Sequence, residues 1–326
     1  MLWRTLLPLL AAMWPMMAAG QPEITCLPQE KGAMELVALR PNFFTVSGPM
    51  GGFDPCERNV KFRVPKGVSK PPLMISVHGG GGINDVLMSD EAFSRYGMAT
   101  LTFDAYAMQG LTGRNSLIWA RSVTNEARQR MIYTTALAAY QWAIKRTDVD
   151  TSRIYLFGIS NGATVVANLA GAVDPVHVKG VIAEGITPIG LGLPEEIKVP
   201  VQLVYGKLDN YGNPDPKGNR WTLSDDCRAN IRFASVPAGS SEYCNRSTPG
   251  MRIPDAQEWT NAVLKRGGQI EVVYVDDMAH NAYFGPLTRS TATWGNGQIL
   301  GASLGATDAA RAEFFKAMVE FIDRYK

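Results

Sequence analysis

The pentapeptide Gly158-Ile159-Ser160-Asn161-Gly162 is the stretch of this chain best suited to covalent chemistry. A serine between two glycines, at a sharp turn from strand to helix, projects its hydroxyl with the helix N-terminus behind it. Side chains at the two glycine positions would clash in so tight a turn. The pattern alone is weak, but its setting is specific. Arg153 to Phe157 (RIYLF) reads as a buried strand and Ala163 to Ala172 as helix. A serine hydroxyl becomes nucleophilic only when a neighbouring base takes its proton, and the chain offers three histidines. His78 belongs to a glycine run, and His177, in Asp174-Pro175-Val176-His177, reads as a surface residue. His280 follows a strand from Ile270 to Val275, so it falls on a loop at the carboxyl edge of a sheet, where ligands bind in such folds. Elimination makes His280 the candidate base. The acid that orients it should lie between the two in sequence. Asp209 ends Tyr205-Gly206-Lys207-Leu208-Asp209, directly after the strand Val201 to Tyr205. Asp215, Asp225 and Asp226 stand further from a strand end, and Asp276 and Asp277 are too close to His280 in sequence to partner it.

Acyl transfer also needs backbone N–H groups fixed where negative charge develops. His78-Gly79-Gly80-Gly81-Gly82, directly after the strand Leu73 to Val77 (LMISV), is a run whose backbone can approach a substrate closely. Gly79 or Gly80 would supply one oxyanion donor and Asn161, next to the serine, the second. A phosphate-binding reading fails, because no Lys-Ser/Thr follows the glycines and dinucleotide-type spacing is absent. His78 itself reads as a structural residue of the loop.

Positioning these groups takes a sheet with its loops gathered at one edge. Short β-branched runs at Val60 to Val64, Met98 to Phe103, Val178 to Ala183 and the segments above alternate with helix-period stretches. The clearest helices are Asn125 to Lys145, Asn161 to Ala172 and Thr307 to Tyr325. This alternation predicts an α/β fold with a mostly parallel sheet covered on both faces. Two segments break the rhythm, Ala105 to Val123 and Leu208 to Pro254, and read as lid or binding loops in a single domain. Their Tyr106, Met108, Trp119, Tyr211 and Trp221, with Tyr283 and Phe284, are candidates to line an apolar pocket.

The first twenty residues read as a secretory signal: Arg4, an apolar run from Leu6 to Met17, then Ala18-Ala19-Gly20. The run is too short to span a bilayer, so no stable membrane anchor is expected, and the mature chain from Gln21 to Lys326 would be secreted or periplasmic. Cys26, Cys56, Cys227 and Cys244 then read as two disulfides; of three pairings the sequence-local one, Cys26–Cys56 with Cys227–Cys244, is favoured. No Cys-x-x-Cys pair suggests a metal, and no cofactor is expected. Lys+Arg 32 against Asp+Glu 30, a net charge of +2, gives no field that would select nucleic acid as a partner.

Together these residues resemble the dienelactone hydrolase family of the α/β-hydrolase superfamily, over roughly Pro71 to Lys326. The carriers are His78-Gly79-Gly80, Asp104 after the next strand, the elbow at Ser160, Gly206-Lys207-Leu208-Asp209 and Met278-Ala279-His280. Where the founding enzymes carry a cysteine at the elbow this chain has Ser160, and Asn281-Ala282 follows the histidine in place of Gly-Phe. The resemblance implies the hydrolase fold and hydrolysis of small carboxylic esters or lactones. A peptidase of the same superfamily and a non-catalytic binding protein on the same scaffold are the other readings of this sequence.

Overall fold

The computed structural model describes residues 30–31, 34–36, 60–83, 86–109, 111, 123, 125–186, 191–209, 256–288 and 304–326. The signal-like segment, all four cysteines, Trp119, Tyr211 and Trp221 lie outside the described residues. The strands are β1 (Glu30–Lys31), β2 (Met34–Leu36), β3 (Val60–Pro65), β4 (Leu73–Val77), β5 (Ala99–Phe103), β6 (Ile154–Ile159), β7 (Val178–Glu184), β8 (Val201–Gly206) and β9 (Ile270–Val275). The helices are α1 (Leu87–Arg95), α2 (Asn125–Ala143), α3 (Asn161–Leu169), α4 (Ala256–Lys265) and α5 (Asp308–Arg324).

One sheet runs β1-β2-β3-β5-β4-β6-β7-β8-β9. From β5 to β9 every neighbouring pair is parallel, and β1 to β3 extend it as an antiparallel edge. The sheet is thus mostly parallel, as its sequence pattern predicts. LMISV and IYLFGI are buried at every position because both faces of the sheet are covered. Successive side chains of a strand serve opposite faces. Ile154 and Leu156 join the core under α2, α3 and α4, whereas Tyr155, Phe157 and Ile159 join the one under α1 and α5, with Phe93, Phe314, Met318 and Phe321. The Tyr155 hydroxyl donates to the carbonyls of Ile322 and Tyr325 at 3.2 and 3.1 Å, and burial pushes its pKa up to about 12. That bond fastens the C-terminal end of α5 to the centre of the sheet. At its other end Thr307 caps α5, its hydroxyl accepting from the Ala310 N–H.

Several boundaries differ from expectation. β6 continues through Gly158 and Ile159, because these two residues still pair with Ala183 and Glu184 of β7. α3 ends at Leu169, short of Ala172, and α1 and α4 fall where the sequence pattern marks no helix. The segment after β5 is not an open loop at its start. Ala107–Gln109 forms a buried 3₁₀ turn, and Tyr106 and Met108 pack into the main core. Tyr283 packs against Phe314 in the second core, while Phe284 stands 59% exposed.

A carboxylate of α1 lies inside this frame. Asp90 of α1 accepts from Arg63 of β3 at 2.7 Å and from Thr102 of β5 at 2.6 Å, and is fully buried. Burial holds its carboxyl above the usual carboxylate range, against the opposing pull of Arg63. A carboxyl with a raised pKa binds its proton more tightly folded than unfolded. Its contribution to stability is therefore greatest in acid and is lost as pH rises through the raised value. Asp90→Asn, which cannot titrate, should gain stability relative to the parent protein between pH 4 and pH 7 in urea unfolding. A stability difference that does not change with pH would contradict the assignment.

Candidate active site

Ser160 sits between the end of β6 and the first residue of α3, with φ 56° and ψ −118°. A non-glycine residue rarely holds a positive φ, and one that does reports strain imposed by its surroundings. The cause is steric. A Cβ on Gly158 would stand 2.3 Å from the Gly162 carbonyl oxygen, and one on Gly162 would stand 2.2 Å from the Val77 carbonyl oxygen. The first turn of α3 therefore presses directly on the chain where β4 passes into the glycine run. Ser160 stands at the resulting kink, its N–H bonded to the Glu184 carbonyl at 2.9 Å. The elbow expected from sequence is present with the geometry its residues imply.

His280 and Asp209 meet from different strands. His280 follows β9, Asp209 follows β8, and the His280 Nδ1 donates to the Asp209 Oδ2 at 2.9 Å. Their side chains are only 6% and 2% exposed. The bond to a carboxylate fixes the proton on Nδ1 and leaves the lone pair on Nε2, the tautomer that a general base needs. The rival acids are elsewhere: Asp276 pairs with Lys207 at 2.8 Å on the exposed side of the turn. Asp215, Asp225 and Asp226 lie outside the described residues.

Two residues that sequence reasoning missed join the serine to this pair. Glu184, at the end of β7, is buried and accepts the Ala282 N–H at 2.7 Å, while its carbonyl takes the Ser160 N–H. It is thus tied both to the elbow and to the loop that carries His280. Burial and the Glu184 carboxylate together hold the neighbouring Tyr283 hydroxyl far above its ordinary pKa. Gly185 follows in the left-handed region, φ 61°, and a Cβ there would lie 2.8 Å from the His280 Nδ1 and 3.2 Å from the Asp209 Oδ2. The imidazole–carboxylate pair packs directly on this glycine. A Glu-Gly at a strand end has no local signature of such a role, so only the fold reveals it.

The glycine run lies beside the elbow. His78 Nδ1 donates to the Gly79 carbonyl at 2.7 Å and its Nε2 accepts the Ala105 N–H at 2.8 Å, so both ring nitrogens are committed to backbone. This is the structural role expected for His78, and it leaves no ring nitrogen for proton transfer. Tyr106 donates to the Gly80 carbonyl at 3.2 Å. The Asn161 side chain also lies beside Gly80 and is held by Gln129, whose Nε2 donates to the Asn161 Oδ1 at 3.0 Å. Gly79, Gly80 and Asn161 are therefore neighbours, with Asn161 the first residue of α3 and its N–H at the positive end of that helix. His177 is remote, its Nδ1 bonded to the Thr151 carbonyl at 2.8 Å. Among the described residues no three His, Cys, Asp or Glu side chains cluster as metal ligands, and no helix is long and apolar enough to cross a membrane.

No protein-family model matches the chain. A stretch of 125 residues is 31% identical to an uncharacterized 31.7 kDa protein in the traX-finO intergenic region of Escherichia coli, covering 38% of this chain and 40% of that protein. A second Escherichia coli protein of the same description is 34% identical over 103 residues, 31% of this chain and 33% of its own length. The matches thus span well under half of these relatives. Among solved structures, a dienelactone hydrolase-like promiscuous phosphotriesterase from metagenomic libraries aligns over 82% of this chain and 92% of its own, with TM-score 0.53 and 16% identity. A structure named m3DLH aligns over the same shares with TM-score 0.51 and 15% identity. A dienelactone hydrolase from Anabaena variabilis ATCC 29413 covers 91% of this chain and 98% of its own, with TM-score 0.48 and 16% identity. At such identities the likeness is one of fold, and the fold is that of the α/β hydrolases.

The packing of Gly185 gives a direct test of the His280–Asp209 pair. An Nδ1–H bonded to a buried carboxylate should appear as a slowly exchanging proton resonance downfield of the amide envelope, lost in Asp209→Ala. Gly185→Ala should shift or abolish that resonance, and should cost about 1–2 kcal/mol for the left-handed backbone alone. An unaltered resonance in Gly185→Ala would show that the pair does not pack as described.

Proposed function

We propose that this chain is a serine hydrolase of small carboxylic esters or lactones, acting through an acyl-enzyme. The observation that carries the reading is the strained Ser160 elbow on the same sheet edge as a buried, hydrogen-bonded His280–Asp209 pair. Neither feature is needed for the stability of an α/β sheet, and strain kept at one residue beside a buried acid–base pair points to chemistry.

In the proposed reaction the Ser160 Oγ attacks the substrate carbonyl carbon while its proton passes to the His280 Nε2. The new C–O bond forms as the carbonyl π pair moves onto oxygen. The backbone N–H groups of Asn161 and of Gly79 or Gly80 hold that oxyanion. Asp209 keeps the imidazole oriented and stabilises the imidazolium. Collapse expels the alkoxy group, which takes the proton from Nε2; from a lactone the alcohol stays attached to the acyl part. Water then repeats the sequence, giving its proton to Nε2, releasing the acid and restoring Ser160. Every step is a proton or acyl transfer among groups already named, so the proposal calls on no cofactor. The signal-like residues 1–20 and the even cysteine count support action outside the cytoplasm.

Steady-state hydrolysis of p-nitrophenyl acetate and of a simple lactone, with the matching anilide alongside, tests the reading. Ester or lactone turnover is expected, and Ser160→Ala should lower kcat by roughly 10⁴-fold or more, given the interdependence of triad members. Turnover of the anilide but not the ester would replace the esterase with a peptidase. Activity that survives Ser160→Ala would overturn the nucleophile.

A further inference from the structure

Arg128 lies in the first turn of α2. A cation is disfavoured there, because that end of a helix carries partial positive charge. Glu126, the acid of that turn, pairs with the exposed Arg130 instead. Arg63, Arg130, Arg146, Arg153, Arg311 and Arg324 each have a carboxylate partner. Arg128 has none among the described residues. Its Nη2 donates to the Val123 carbonyl at 3.3 Å, and its Nε is buried with no hydrogen-bond acceptor. A guanidinium kept unpaired and part-buried is costly, so its location is informative.

That location is the glycine run. A Cβ on Gly80 would meet the Arg128 Nη1 at 3.3 Å and the Asn161 side-chain nitrogen at 3.2 Å. The guanidinium therefore lies close against the backbone at this point. Gln129, the next residue of α2, holds Asn161 and also accepts the Leu191 N–H at 2.8 Å. One turn of α2 thus holds Asn161 through Gln129 and brings a full positive charge beside Gly80.

We infer that Arg128 is the charge complement of the oxyanion hole, a cation with no carboxylate partner among the described residues that lowers the energy of the tetrahedral intermediate through its field at Gly80. The inference rests on the serine-hydrolase reading. The cation is neutral to a ground-state ester and favourable to the alkoxide that replaces its carbonyl, so it acts on the transition state in preference to the bound substrate. It contacts the loop and not the reacting atoms, which makes it a positioning and charge-supplying residue.

The test compares Arg128→Met, Arg128→Gln and Arg128→Lys with the parent protein on two esters, neutral p-nitrophenyl acetate and anionic mono-p-nitrophenyl glutarate, with melting temperatures measured alongside. Arg128→Met should lower kcat for the neutral ester roughly 10- to 100-fold, below or at the loss seen when an oxyanion donor is removed, with KM within about twofold. Arg128→Lys should recover much of that loss because it restores charge without the guanidinium shape. Should Arg128→Met fail to fold, the contrast between Arg128→Gln and Arg128→Lys carries the same information. An unchanged kcat for the neutral ester in a folded neutral variant overturns the inference. It is overturned equally if that unchanged kcat comes with a raised KM for the glutarate, which would make Arg128 an anchor for substrate carboxylates. Equal losses in Arg128→Lys and Arg128→Met also overturn it, in favour of a packing role. Absence of turnover in the parent protein would sink the serine-hydrolase reading itself, whereas parent turnover that depends on Ser160 and ignores Arg128 sinks this inference alone.

Discussion

The contact on which the rest of the site depends is the pressure of the first turn of α3 against the end of β4. With 2.2 Å between a would-be Gly162 Cβ and the Val77 oxygen, no residue but glycine permits that approach. Gly158 permits the complementary approach from the strand side. Between them the chain reverses with Ser160 at φ 56°, a conformation that the serine does not prefer and that its neighbours impose. The same contact sets α3's first N–H groups beside the glycine run. One steric constraint thus fixes both the position of the proposed nucleophile and the donors that would serve its oxyanion.

The acid–base half is built by a different rule. Ser160, Asp209 and His280 come from the ends of β6, β8 and β9, and β7 lies between the serine and the other two. The end of β7 is therefore the obligatory spacer. Glu184 ties the serine backbone to the histidine loop, and Gly185 lets the imidazole and carboxylate close upon it. A bulkier spacer would part the two halves, and a structure without the Glu184 bond would leave the His280 loop held by fewer contacts. The buried setting also keeps water away from the His280–Asp209 bond, so its geometry is fixed before any substrate arrives.

Much of this was legible in the sequence because periodicity and motif agree locally. LMISV and IYLF are almost wholly apolar runs, as a strand covered on both faces tends to be, and the glycines around Ser160 mark a turn only glycine can make. Asp209 and His280 were legible from their positions just after strands. What could not be read depends on tertiary contact. Glu184 and Gly185 look like the ordinary end of a strand, and Arg128 looks like one of two arginines on an amphipathic helix. The core packing of Tyr106 and Met108, at and beside the 3₁₀ turn Ala107–Gln109, has no mark in the sequence either. α1 and α4 are short, at nine and ten residues, and so leave few turns in the sequence to mark them.

The central claim is that Ser160 is an activated nucleophile in the folded chain. Its most direct test is reaction of the purified protein with a fluorophosphonate, followed by peptide mass spectrometry and repeated on denatured protein and on His280→Gln. A single adduct at Ser160 is expected, absent after denaturation and strongly slowed in His280→Gln. No adduct in folded protein, or one on another serine, would contradict the claim.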